Sequence, residues 1–191
     1  MKPQTCEGSR FWFILTIVLA LLFLIPLLGI AREPARTEEG VVRHVADGDT
    51  VTVVTDEGTK LRVRLYGIDA PEIRHINRRT GIISKPGQPY GEEAYRALEG
   101  KVLHKRVKVQ IMDIDRYRRM VAIVYLGDRD INREMVQEGY AWAYREYLHG
   151  PYASEYIEAE NEARSKHLGL WQQMNPQPPW EFRRLMRMGR R

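Results

Sequence analysis

Two short acidic stretches carry residue types that could hold a cation. Asp47-Gly48-Asp49 and Asp69-Ala70-Pro71-Glu72 each set two carboxylates close together, and Arg64 stands five positions before Asp69. Gathered carboxylates repel one another unless a hard cation or an arginine lies between them. A cluster of this kind therefore suits a hard cation, or an arginine, held between the acids. The plainer reading of Asp47-Gly48-Asp49 is a hairpin turn, which Asp and Gly both favour. That reading is weaker for Asp69 to Glu72, where Pro71 stiffens the chain and Glu72 follows at once. For Arg64 the plainer reading is an exposed strand charge, like Arg62 on the same face.

The acids can meet only if strands carry them to one place. VVRHVA (41–46), TVTVVT (50–55) and KLRVRLYGI (60–68) are rich in β-branched residues and partly alternate, which predicts a three-strand meander. VKVQIMD (107–113) and MVAIVYL (120–126) predict two further strands joined by IDRYRR. Helical composition marks 91–99, 131–141 and 153–171, the last stopped by Gly169. The order β-β-β-α-β-β-α-α predicts an α+β domain built on a small closed barrel with packed helices. A five-stranded OB-fold is one such solution, and its strands and loops commonly bind oligonucleotides. Residues 73–89 hold Gly, Pro and scattered basic residues without a period, which predicts a mobile loop. QQMNPQPPWEF (172–182) is Pro-rich and predicts extended chain on the surface.

Composition narrows the classes. The chain has 191 residues, 43% of them hydrophobic, which is enough for one domain with a real core. Cys6 is the only cysteine, so a disulfide scaffold and a thiolate zinc site are both excluded. The five histidines show no ligand spacing. A net charge of +5 is mild, but HKRVK (104–108), RYRR (116–119) and RRLMRMGRR (183–191) concentrate it. Such clusters favour a polyanion such as nucleic acid, although each alone is an ordinary solvated face. Residues 11–31 form an uncharged run long enough to cross a bilayer as a helix, with Lys2 and Arg10 before it. It predicts an anchor with the remainder outside the cytoplasm, or a cleaved signal peptide, for which Gly29-Ile30-Ala31 offers small residues. The expected organisation is an anchor or signal over 1–31, a polar linker over 32–39, a folded domain over 40–175 and a Pro-rich, then Arg-rich tail over 176–191. Nothing calls for a protein partner, and a monomer is expected.

The pieces DGDTVTV, RLYGIDAPE, YGEEA, DRYRRMVA, EGYAWAYREY and GLW, in that order, resemble the thermonuclease family, the secreted staphylococcal-nuclease-like phosphodiesterases. The similarity runs over about residues 40–171. It implies a five-stranded OB-fold β-barrel with about three helices, calcium as cofactor, and hydrolysis of DNA and RNA at the bond to the 5′ oxygen, leaving 3′-phosphate products. Carried over residue by residue, it implies that Asp49, Asp69 and the backbone carbonyl of Ala70 hold calcium. It implies that Glu72 is the general base acting on the attacking water. Arg64 and Arg119 would grip the phosphate, and Arg116, Tyr117 and Tyr144 would contact the nucleotide. The sequence departs from the family at three places. Arg118 stands where a glycine usually precedes the phosphate-binding arginine, which leaves Arg118 or Arg119 for that role, with position favouring Arg119. Ala70 replaces a threonine, so a hydroxyl contact is lost while the carbonyl remains. The basic loop between Glu72 and Tyr90 is longer. Two other classes stay open, a nucleic-acid-binding module on the same barrel and a membrane-tethered interaction protein. The presence of Asp49, Arg64, Asp69, Glu72 and Arg119 together argues for the enzyme. Trp142 is expected in the core, and Tyr144 at a wetter position.

Overall fold

The structure, a computed structural model, describes residues 36–77 and 79–189. Strands β1 (Thr37–Asp47), β2 (Thr50–Thr55) and β3 (Lys60–Leu65) form the antiparallel meander. The short β4 (Ile68–Asp69) follows, then a hairpin of β5 (His75–Ile76) and β6 (Ile83–Lys85), and helix α1 (Gly91–Val102). Next come β7 (Arg106–Ile114), β8 (Met120–Leu126), the short β9 (Arg129–Asp130) and α2 (Ile131–Gln137). The chain ends with β10 (Trp142–Ala143), α3 (Pro151–Ser165) and α4 (Pro179–Met188).

Five strands close on themselves. β1 pairs with β2 on one side and β7 on the other, β7 pairs with β8, and β8 runs parallel to β3 with Arg64 opposite Val121. Alternation along the strands drives this closure, because one face of each is apolar and must leave water. Val42, Val51, Val53, Val63, Val109 and Ile123 all point inward and are fully buried. Each such side chain contributes roughly 1.5–3 kcal/mol of burial. Ala94, Leu98 and Val102 of α1 and Ile131, Met135 and Val136 of α2 join the same core.

The expected five-stranded OB-type barrel is therefore present, with four helices among the described residues where about three were expected. The added helix is α4. The sequence reading gave its first residues extended form because of their prolines. Pro179 instead occupies the first turn, where its fixed φ suits a helix and its missing N–H costs nothing. Residues 73–89, expected to lack order, contain the β5–β6 hairpin, with His75 opposite Lys85. Strand β1 begins at Thr37, inside the segment read as linker, and pairs Thr37 with Gln110. The apolar run 11–31 lies outside the described residues. Among the described residues no helix is long and apolar enough to cross a membrane.

Candidate active site

Closure of the meander brings the two acidic stretches together. In the β1–β2 turn, Asp47 accepts a hydrogen bond from the Asp49 N–H at 3.1 Å, and the Asp49 carbonyl accepts from the Leu65 N–H at 2.8 Å. The turn is thereby fixed to the end of β3. Asp49 Oδ2 accepts from the Ala70 N–H at 2.9 Å, so the second acidic stretch is bonded directly to the first. Gly48 permits this approach, since a Cβ there would lie 2.7 Å from the Ala70 Cβ and 2.8 Å from the Ala94 Cβ.

Arg64 reaches from β3 into the space between the two aspartates. It donates from Nη1 to Asp49 Oδ1 and from Nη2 to Asp69 Oδ1, both at 2.6 Å. Asp49 also accepts from the Thr50 hydroxyl. Asp49 is 2% exposed and Asp69 is fully buried, so both carboxylates sit where an ionised acid needs a cation. Burial pushes the Asp49 carboxyl up to about 7 against the pull of Arg64. It pushes Asp69 up as well, opposed by Arg64 and by hydrogen bonds from Arg183.

Glu72 completes the group. Its backbone is held at both ends by Gln88, whose side-chain Oε1 accepts from the Glu72 N–H and whose N–H donates to the Glu72 carbonyl. Its carboxylate accepts from Lys85 on β6 at 2.6 Å and from Arg183 on α4 at 2.9 Å. Burial favours the neutral acid, yet Lys85 and Arg183 together outweigh it and hold Glu72 below the usual carboxylate range. Glu72 is consequently ionised at neutral pH.

Arg183 also binds Asp69 with both nitrogens, at 3.1 Å and 2.8 Å. The second guanidinium at the acids is thus Arg183, which the sequence reading left in a basic tail. Arg119 stands in the turn between β7 and β8, just before Met120, which pairs with Val63 beside Arg64. Arg119 Nε donates to Asp115 Oδ2 at 2.7 Å, and its guanidinium lies over the Tyr117 ring. The same turn holds Arg116, also over the Tyr117 ring, and Tyr117 is 68% exposed. Arg118 takes φ +60°, the left-handed conformation a glycine adopts without strain. Tyr144 lies near Asp69: its N–H donates to the Gly67 carbonyl, its hydroxyl pairs with Glu146, and burial together with the charge of Asp69 pushes its phenol up to about 12. Its ring stacks on Trp180 of α4 with 5.1 Å between centroids and 1° between planes. Trp142 is buried, as expected, with Trp171 and Trp180 edge-on to it.

Lys85, Gln88, Trp180 and Arg183 were not read from the sequence as site residues. The one local signal for the last two was a Trp and an Arg three apart in a stretch that can be helical.

Residues 62–173 match the staphylococcal nuclease homologue family. An uncharacterized endonuclease of Haemophilus influenzae is 37% identical over 143 residues, covering 75% of this chain and 71% of that protein. Micrococcal nuclease of Shigella flexneri is 39% identical over 154 residues, covering 76% and 80%. The chain belongs to the staphylococcal nuclease family. For a staphylococcal nuclease homologue the matched span takes in Arg64, Asp69, Glu72 and Arg119, while α4 with Arg183 falls beyond its end.

A divalent ion is the group to test against this donor set. The available donors are all oxygens, and two of them belong to buried carboxylates whose ionised form an added cation would favour, which suits a hard ion. Among the described residues no three His, Cys, Asp or Glu side chains are grouped as a metal cage. Asp49 and Asp69 therefore fit a hard cation in kind, with backbone carbonyl and water needed to complete it.

Proposed function

We propose that this chain cleaves DNA and RNA with calcium as cofactor, leaving 3′-phosphate products, at the acidic centre formed by the β1–β2 turn, β3 and β4. The coarser activity follows from family membership: this is an endonuclease that hydrolyses phosphodiester bonds in nucleic acid. The observation that carries the finer reading is the convergence of Asp49 and Asp69 on Arg64, with Glu72 held ionised beside them.

Asp49, Asp69 and the Ala70 carbonyl would hold the ion. When bound, it supplies positive charge that draws electron density from a phosphate oxygen. Glu72 acts as general base, taking a proton from the water that attacks phosphorus, and the grip of Gln88 on its backbone fixes where that carboxylate can reach. Arg64 offers a planar fork of donors to the charge that grows on the phosphate oxygens. Arg119 serves as the second phosphate ligand from the β7–β8 turn, with Asp115 orienting its guanidinium. Arg116, Tyr117 and Tyr144 contact the nucleotide, Tyr117 from an exposed position in the β7–β8 turn. The run 11–31 anchors or exports the chain so that this centre faces outside the cytoplasm; protection of the folded domain from protease added to intact cells would refute that placement.

The deciding experiment is cleavage of denatured DNA with calcium and with chelator, beside Glu72→Gln at matched folding and DNA affinity. Calcium-dependent cleavage is expected, with 3′ ends that accept label only after phosphatase treatment. Glu72→Gln is expected to lower the rate by roughly 10²–10⁴-fold. A folded parent that binds DNA and leaves it intact would make the barrel a binding module.

A further inference from the structure

Arg183 lies beyond the span matched to the family, yet its three hydrogen bonds to the acids outnumber the two of Arg64. It meets both oxygens of Asp69 and Oε1 of Glu72, while Arg64 takes Asp69 Oδ1 and Lys85 takes Glu72 Oε2. Every carboxylate oxygen of Asp69 and Glu72 therefore has a cationic donor. With a cation on each oxygen Glu72 is a weaker base towards water, and release of one of them restores its basicity. A divalent ion at Asp69 needs the same lone pairs. Charge points the same way: with Asp47 beside Asp49, four carboxylates face Arg64, Lys85 and Arg183, a single negative excess. A divalent ion turns that excess into a positive one, and a phosphodiester is the anion that arrives with the substrate.

The rest of α4 is fixed by contacts that do not involve the acids. Trp180 stacks on Tyr144 and meets Trp142 edge-on, and the Gln177 carbonyl accepts from the side chain of Gln88, the residue that also grips Glu72. Arg183 follows Trp180 by three residues, so both lie on one helix face. Its side chain is 27% exposed, too covered for a released guanidinium to be left without an anion. The helix thus keeps Arg183 beside the reacting group after it leaves Asp69.

We propose that Arg183 is a phosphate-binding residue of the active site. It is the counter-ion of Asp69 and Glu72 in the structure, and it turns to the substrate phosphate when a divalent cation takes Asp69. The inference rests on the calcium-dependent reading above.

The test uses the full chain in mild detergent, with Arg183→Gln, Arg183→Lys and, as a control for charge, Arg184→Gln on the exposed side of α4. Calcium uptake is followed by calorimetry without nucleic acid, and affinity for a short phosphorothioate-linked oligothymidylate is measured at saturating calcium. Arg183→Gln is expected to take calcium roughly tenfold more tightly than the parent and to bind the oligonucleotide roughly tenfold more weakly. Arg184→Gln should change either by no more than about twofold. Arg183→Lys keeps the charge, and with it the fold, but a single ammonium replaces the fork, so calcium uptake should tighten about threefold. Calcium affinity unchanged in both Arg183 variants, or oligonucleotide affinity unchanged in Arg183→Gln, would overturn the proposal. A parent that neither takes up calcium nor cleaves would sink the preceding reading and this one with it; a parent that does both beside unchanged variants sinks this one alone.

Discussion

Gly48 shows how much one absent side chain fixes at this centre. The β1–β2 turn, the Ala70 side chain and the first turn of α1 meet where its Cβ would be, at separations under 3 Å from two other Cβ atoms. Gly48→Ala must push one of these apart, and the Ala70 N–H to Asp49 Oδ2 bond spans that gap. A loss of about 1–3 kcal/mol in denaturant unfolding is expected, with a larger proportional loss of cleavage. A variant with parental activity would show that the approach is not needed. At Arg118 the opposite sign is expected. Its φ of +60° is strained for a side-chain-bearing residue, so Arg118→Gly should gain about 1 kcal/mol in stability if the nucleotide contacts lie on Arg116 and Arg119. Asp49, Arg64, Asp69 and Glu72 were legible because two turn-forming stretches carried paired acids and one strand led into the second. Arg183 was not, because 114 residues separate it from Asp69 and no local pattern announces so distant an ion pair.

Among the elements, the barrel strands were the most legible, since half-buried strands must alternate and these do. The hairpin β5–β6 was less so. Its residues are all exposed, so no apolar periodicity records it. Helix α4 was hidden by its prolines and by reading its arginines as a tail. Asn132 escaped notice altogether, though it ties α2 to the barrel. Fully buried, it donates to the carbonyls of Tyr66 and Ala122 and accepts from the Val124 N–H, each at 3.0–3.1 Å. A polar residue on an apolar helix face looks like an interruption until its three backbone partners are known. Asn132→Ala strands the Tyr66 carbonyl and the Val124 N–H, while the Ala122 carbonyl keeps the Tyr66 N–H, for an expected loss of roughly 2–3 kcal/mol. Thermal or denaturant unfolding measures it. A loss under about 1 kcal/mol would mean that water enters to replace the amide.

Across the whole molecule, the buried acids couple stability to pH and to calcium in opposite senses. Burial holds the Asp49 carboxyl at about 7 in the folded chain against 3.8 when exposed, and shifts Asp69 upward too. Between those values the folded state binds more protons than the unfolded one. The stability that protonation supplies is present below about pH 4 and is lost as pH rises towards 7. Glu72 is shifted the other way, so its contribution falls away only below its ordinary value of 4.5, beneath the interval that matters. In chelator, the chain should therefore melt at a lower temperature near pH 8 than near pH 5, and Asp49→Asn should flatten that dependence. Calcium binds the ionised acids, so its stabilisation grows as they lose their protons. At saturating calcium the folded acids are ionised like the unfolded ones, so the fall between pH 5 and pH 8 should vanish, with calcium adding about 1.4 kcal/mol of stability for each tenfold excess over Kd. Melts of parent and Asp49→Asn, with and without calcium at the two pH values, test both expectations. A metal-free parent that is more stable near pH 8 would mean that Arg64 and Arg183 outweigh burial and keep the aspartates ionised throughout.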